Sequence, residues 1–304
     1  MDQWINESIL PWTLPLSNRT KAEALLVMVT AIWGCTFVVV KGALADASPL
    51  PFLSLRFLLA GLLLLATLGR GRVARSTLLP GGVLGLFLFF GFLFQTWGLV
   101  YTTPSKSAFL TGFSVILVPL IMMFSGSRPG AATLAGAGLG IAGIYFLVAP
   151  AGVAAVNRGD ILTLAGACSF AVHIVLVGRY IRRFSFLHLV PVQILVVGVL
   201  SSAALPLVPE PRLHWSGRLL WAILVTAVLA TGVAFSVQNW AQQYTPAAHT
   251  ALIFALEPVF AALSSRLVMG ERLGGRALLG AGLILAGMVV SEVWAVGPPR
   301  PVEG

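Results

Sequence analysis

The sequence predicts an all-α integral membrane protein whose ten transmembrane helices form two inverted five-helix repeats. Three observations predict it. The 304 residues are 58% hydrophobic and only 10% charged, with a mean hydropathy of +0.95, where a soluble domain carries roughly a quarter charged residues. Apolar windows of about 20 residues, the length that crosses roughly 30 Å of hydrocarbon, recur along the chain between short polar breaks, and ten are counted. Finally, the chain repeats itself. Gln238, Trp240 and Tyr244 restate Gln95, Trp97 and Tyr101, each 143 positions on. Thr250 and Pro258 answer Thr111 and Pro119, and Gly280, Gly282 and Gly287 answer Gly136, Gly138 and Gly143. One matched Gly or Pro can arise by chance, but this series in the same order marks an internal duplication.

The net charge of +9 would suggest nucleic acid in a soluble protein. Here the basic residues sit in loops between apolar spans and have a topological explanation, so no nucleic-acid partner is expected. Cys35 and Cys168 lie inside apolar spans without CxxC or Cys/His spacing. They read as small packing residues, and no metal or cofactor is expected. Asp2, Glu7, Pro11 and Pro15 precede any long apolar run, so the first span is expected to act as the insertion signal in place of a cleaved leader.

Span one, residues 22–43, carries Trp33-Gly34 and ends at Lys41. Span two, 51–69, starts at Pro49-Leu50-Pro51 and holds Arg56 one turn inside. A charge at the bilayer centre costs about 2.5 to 3.5 kcal/mol on insertion scales, so Arg56 either faces the bundle interior or snorkels to a headgroup. Ile32-Trp33-Gly34-Cys35-Thr36-Phe37 through Lys41, followed by Leu55-Arg56-Phe57, resembles the opening of EamA-type members of the drug/metabolite transporter superfamily, and the likeness runs through essentially the whole chain after residue 22. Arg70, Arg72 and Arg75 precede span three, 81–101, rich in Phe and Gly. Span four, 105–124, reads Ala108-Phe109-Leu110-Thr111-Gly112 and then Pro119, similar to the family's fourth helix. Pro119 is expected to kink it by removing an intrahelical bond. Span five, 131–150, has a GxxxG pair at Gly136 and Gly140 that lets backbones approach closely, within the monomer rather than across a dimer.

The second copy opens with span six, 160–181, carrying Cys168 and His173 and leading to Arg179, Arg182 and Arg183. Span seven, 187–207, places Gln193 and Gly198 where span two has Arg56 and Gly61, so the polar position is kept and the charge dropped. Span eight, 216–240, ends in Gln238-Asn239-Trp240, span nine, 247–269, contains Glu257-Pro258, and span ten, 275–295, repeats the glycine pattern. Leu256-Glu257-Pro258-Val259 and Gly270-Glu271-Arg272-Leu273 resemble the family's second-half signatures, where the first copy has Val118-Pro119 and Ser127-Arg128. The expected organisation is an N-terminal tail (1–21), a first repeat (22–150), a second repeat (160–295) and a C-terminal tail (296–304). Five helices per copy is an odd number, so the second copy enters the membrane in the opposite sense and both termini share one side. With cytoplasmic termini, inside segments hold 10 Lys/Arg and outside segments 8, a small bias in the expected direction, and the resemblance implies the same orientation.

Candidate site residues are the polar groups inside spans. Glu257 is the one carboxylate deep in a span. It either lines a path and exchanges protons, as intramembrane acids do, or hydrogen-bonds backbone groups that Pro258 leaves unpaired. Arg56 and Lys41 suit an anionic group such as a carboxylate, against snorkelling. Gln95, Gln193, Gln238 and Asn239 suit a zwitterion or polar metabolite in a central cavity, with interhelical hydrogen bonding as the competing account. As repeat mates, Gln95 and Gln238 either meet at the midplane or stand at opposite ends of the pathway. Trp33 can stack on a ligand, whereas Trp97 and Trp240 read as interface anchors. His173 reads as a packed or hydrogen-bonded residue. Pro119 and Pro258 are candidate hinges. Arg56, Gln95, Gln193, Gln238 and Glu257 are expected to face a common cavity, because lipid exposure would leave each without a partner.

The resulting expectation is a secondary transporter that moves a small metabolite across a bacterial-type inner membrane by rocking two inverted halves around a midplane site, as monomer or homodimer. The resemblance implies export of amino acids, metabolites or drugs. There is no GxxxxGK[ST] for an ATP-driven pump. An intramembrane enzyme would need clustered catalytic groups, and His173, His188, His214, His249 and Glu257 do not cluster in sequence. A lipid-linked sugar flippase on the same fold stays open.

Overall fold

A computed structural model of the chain describes residues 17–68, 73–123, 130–148, 156–208 and 210–293. The tails beyond these limits, Arg70, Arg72 and the Ser127-Arg128 pair lie outside the described residues. Among the described residues thirteen α-helices make up ten spans. Span one is α1 (Asn18–Ala43) and span two α2 (Pro49–Thr67), while a 3₁₀ turn at Arg75–Thr77 leads into α3 (Leu78–Tyr101). Span four is α4 (Pro104–Gly112) plus α5 (Ser114–Met122), and span five is α6 (Ala131–Val148). In the second half, span six is α7 (Arg158–Tyr180) and span seven α8 (Phe186–Ala203). Span eight is α9 (Gly217–Ala227), a π-helical turn (Val228–Val233) and α10 (Ala234–Ala241). Span nine is α11 (Ala247–Phe254) plus α12 (Glu257–Met269), and span ten is α13 (Gly275–Val293). Eight spans are long and apolar enough to cross a membrane outright, and spans five and ten are shorter apolar helices.

The helix starts follow from local sequence. Ser17, Thr103 and Ser216 each accept a backbone N–H of the first turn, and Asn157 and Asp160 form a reciprocal capping box at the head of span six. Pro49, Pro104 and Pro258 occupy first-turn positions, where a missing N–H costs nothing. Gly270, at φ 67°, closes α12 in the left-handed conformation that favours glycine.

The duplication is visible in the contacts. Spans two and seven pack on each other, as do five and ten, and four and nine, and each of these pairs joins repeat mates. A Cβ on Gly61 would meet Leu195, and one on Gly198 would meet Leu58. Gly136 lies against Gly287 and Gly143 against Gly280, backbone to backbone. In both pairs the sequence runs in opposite directions and each contact is answered by its mirror, which is the signature of a two-fold axis lying across the helices. The GxxxG pair of span five is thus engaged within the chain. Cys35 and Cys168 differ from their sequence reading: they lie on the outer face of the bundle, not in packing positions.

Span four is interrupted at a position the sequence did not single out. The interruption falls at Phe113, and Pro119 sits inside the continuous α5. The interruption directly follows Gly112, which is seated on the Pro258 ring and the end of Met288 from the other repeat. Span nine breaks at Ala255–Leu256, directly before Glu257-Pro258, so the two interrupted helices meet near their breaks.

Candidate functional site

Spans one, two, three, four, six, eight and nine surround a cavity of about 80 Å³, smaller than the roughly 300–1,000 Å³ of pockets that hold drug-sized ligands. Its walls are largely aromatic and aliphatic, including Trp33, Phe37, Phe92, Phe170, Phe235 and Phe254. Four candidates from the sequence line it together with Trp33: Arg56, Gln95, Gln238 and Glu257, with Thr111 as the partner of Gln95.

Arg56 is 3% exposed. Its Nε–H donates to Thr231 Oγ1 at 2.9 Å, and the guanidinium carbon lies 4.9 Å from the Phe57 ring centre and 4.8 Å from that of Phe92, cation–π distances. Snorkelling is therefore not what Arg56 does. Among the described residues no carboxylate pairs with it and its terminal nitrogens hold no hydrogen bond. A buried charge left in this state carries a penalty of several kcal/mol that an anionic ligand would offset. Thr231 reaches it from the π-helical turn, whose Ala230 carbonyl also accepts the Trp33 Nε1–H at 2.8 Å. Such a bulge re-aims carbonyls and side chains that a regular helix would keep in register.

Glu257 opens α12 and lines the cavity, and its carboxylate has no protein hydrogen-bond partner among the described residues. The backbone-satisfying role left open by the sequence is not what the geometry provides. Gln95 donates from Nε2 to Thr111 Oγ1 at 3.0 Å two turns from the Tyr101 end of span three, whereas Gln238 lies one turn from the Ala241 end of span eight. These repeat mates thus approach the cavity from opposite membrane faces. Trp33 packs against Phe235 and Phe254 at 5.3 and 5.1 Å, and Trp97 and Trp240 are partly buried against the hydrophobic clusters.

Gln193 and Asn239 do not line the cavity. Gln193 is fully buried, its Oε1 facing His173 Nε2 at 2.7 Å and its Nε2 donating to Asn239 Oδ1 at 3.3 Å. Asn239 in turn donates to the Phe235 carbonyl at 2.9 Å. The physical reason is that an amide, unlike a guanidinium, can both donate and accept, so at the Arg56-equivalent position it finds partners on spans six and eight and closes into an interhelical link. His173 is the member of this link that reaches the cavity.

At the Lys41 end of span one, polar side chains tie the repeats together. Lys41 does not snorkel: its Nζ donates to the carbonyls of Leu99, Val100 and Thr102 at 2.7, 3.2 and 3.0 Å, capping span three as a cation at a helix C-terminus. Lys106 pairs with Asp160 at 2.8 Å. Glu271 accepts from Ser105 N and Oγ at 3.2 and 2.7 Å, and from Ser265 Oγ. Burial works to raise the Glu271 carboxyl, but the hydrogen bonds from Ser265, Thr103 and Ser105 outweigh it and hold it below its ordinary value. A second pocket, lined by Lys41, Lys106, Asn157, Ser265 and Glu271 among others, lies at this clasp. Nearby, Arg218 grips Asp46 with two bonds of 2.9 and 2.8 Å, which with Ser216 hold the Asp46 carboxyl down at about 2.

The sequence model of the EamA-like transporter family matches residues 20–149 and again residues 157–292. The chain belongs to the EamA-like transporter family. An uncharacterized transporter of Archaeoglobus fulgidus is 35% identical over 274 residues, covering 90% of this chain and 86% of its own. A protein of Escherichia coli K12 named "Probable amino-acid metabolite efflux pump" is 27% identical over 293 residues, covering 91% of this chain and 95% of its own. A solved crystal structure shares the fold with a TM-score of 0.67 at 20% identity, over 90% of this chain and 98% of that one.

For this EamA-like transporter, sequence reasoning missed Thr231, set aside His173 and treated Glu271 only as part of a signature. Thr231 carried no signal, because nothing in Val228–Val233 announces a π turn. Glu271 did have one: an acid directly after a helix-ending glycine is placed to cap a neighbouring helix N-terminus, here that of α4.

Proposed function

We propose that this EamA-like transporter is a secondary exporter of small zwitterionic metabolites, amino acids or close relatives. In this reading it works by alternating access in the inner (plasma) membrane with both termini cytoplasmic. One observation carries the reading. One cavity between the repeats is lined by a guanidinium and a carboxylate, Arg56 and Glu257, neither of which forms an ion pair among the described residues. A ligand carrying both a carboxylate and an ammonium group satisfies both, with the aromatic walls receiving its apolar part. The name of the Escherichia coli relative, which refers to amino-acid metabolite efflux, supports the same class.

The test is counterflow in proteoliposomes loaded with individual unlabelled amino acids, followed by uptake of the labelled compound. At least one apolar or aromatic amino acid should exchange, and its amide and its decarboxylated amine should exchange more than tenfold less. Exchange that ignores removal of the carboxylate would sink the proposal.

A further inference from the structure

The hydrogen-bond chain behind the cavity has a direction, and a backbone group sets it. The Phe235 carbonyl can only accept, so Asn239 must turn its Nδ2 toward it. That leaves Asn239 Oδ1 as the acceptor facing Gln193, so Gln193 must donate from Nε2 and present Oε1 to the imidazole. Oε1 cannot donate. His173 must therefore carry its proton on Nε2, and in the neutral ring Nδ1 is left as a bare lone pair. His173 is 2% exposed, has no other hydrogen bond, touches the Phe235 ring edge-on at 6.1 Å, and lines the cavity. Among the described residues no acid lies in contact with it.

We infer that His173 is a specificity-determining residue that presents Nδ1 to the cavity as a fixed hydrogen-bond acceptor for a ligand N–H or O–H. Four groups set this polarity: the Phe235 carbonyl, Asn239, Gln193 and the His173 ring. The fixed acceptor complements Arg56, which only donates, so the cavity reads the two ends of a ligand with groups of opposite hydrogen-bonding character. Resting as it does on the zwitterion reading above, the inference assigns to His173 one N–H of the ligand's amine, whose charge faces Glu257, and not its carboxylate. The equivalent of Arg56 in the second repeat, Gln193, thus acts through His173 as a positioning residue.

Two measurements test it. The first is ¹⁵N NMR of the full chain with His188, His214 and His249 replaced by Gln, at a pH above neutrality, where the His173 shifts should report a protonated Nε2 and an unprotonated Nδ1. The second compares binding of L-leucine, 4-methylpentanoate, which lacks the amine, and leucinamide, which lacks the carboxylate. His173→Gln keeps a polar group within reach of Gln193 and removes the acceptor at Nδ1, whereas His173→Asn does the reverse. The preference for leucine over 4-methylpentanoate should fall about tenfold in His173→Gln, the loss of one good hydrogen bond, and be largely kept in His173→Asn. A purely structural histidine gives the opposite order. An Nδ1–H tautomer, or an unchanged preference in His173→Gln, overturns the inference. If the parent chain binds none of the three compounds, the zwitterion reading fails, and the tautomer alone decides the role of His173.

Discussion

Arg56 is held in the cavity at a cost, and the second repeat shows what the fold does without that cost. Gln193, its mate, is buried with both amide ends satisfied. Arg56→Gln should therefore fold at least as stably as the parent, gaining about 1 kcal/mol or more from removal of an unpaired buried charge, while losing ligand affinity by tenfold or more. Thermal unfolding in detergent beside a binding titration checks both halves, and a variant that is clearly less stable would show the guanidinium to be structural. Glu257 calls for a different experiment because its role turns on a proton. Glu257→Gln keeps shape and hydrogen bonding but cannot titrate, so uptake driven by a pH gradient should be abolished while counterflow, which moves no net proton, persists. Unchanged pH dependence in that variant would remove Glu257 from any coupling scheme. The presence of Arg56 and Glu257 in an interior cavity could be read from the sequence, because charge is too expensive to leave in lipid. The departure of Gln193 and Asn239 could not, because amides bond equally well to ligand or to neighbouring helices, and only their positions in space decide.

At the level of the element, the interrupted spans and the clasp are the parts that can change. The π-helical turn of span eight brings Thr231 to Arg56 and the Ala230 carbonyl to Trp33. Thr231→Val should leave the Arg56 Nε–H unsatisfied and weaken carboxylate binding severalfold, with Thr231→Ser restoring it, as a pair of binding isotherms would show. The Glu271 clasp joins span nine to the head of span four on one membrane face. Because its carboxyl is held below the ordinary glutamate value of about 4.3, the clasp is fully formed above that value and is lost as pH falls through the lowered one. Glu271→Gln should loosen it at neutral pH. In a background with Cys35 and Cys168 replaced by alanine, a cysteine at the cavity-lining position Val40 should then react severalfold faster with an impermeant thiol reagent applied from that face, and an unchanged rate would show that the clasp does not gate access. Span number and helix type were legible from apolar length and glycine spacing. The interruption at Phe113 was not: nothing in the sequence around it marks the turn that follows Gly112, where Pro258 of the other repeat lies against it.

Across the whole molecule, the reciprocal glycine contacts say something about how such a chain came to exist. Gly136 and Gly280 are repeat mates, as are Gly143 and Gly287, and each touches the other's counterpart: Gly136 on Gly287, Gly143 on Gly280. Leu58, Gly61, Leu195 and Gly198 follow the same rule. A surface in which residue i meets j and j meets i is an isologous dimer interface, here within one polypeptide. The two halves of this transporter therefore relate to each other as the subunits of an antiparallel homodimer whose genes have been joined, and the interface is expected to form without the covalent link. Coexpressed fragments ending at residue 148 and beginning at residue 156 should copurify and exchange substrate, whereas Gly143→Ala, whose added Cβ would sit 2.7 Å from the Gly280 carbonyl, should separate the fragments while the joined chain still assembles.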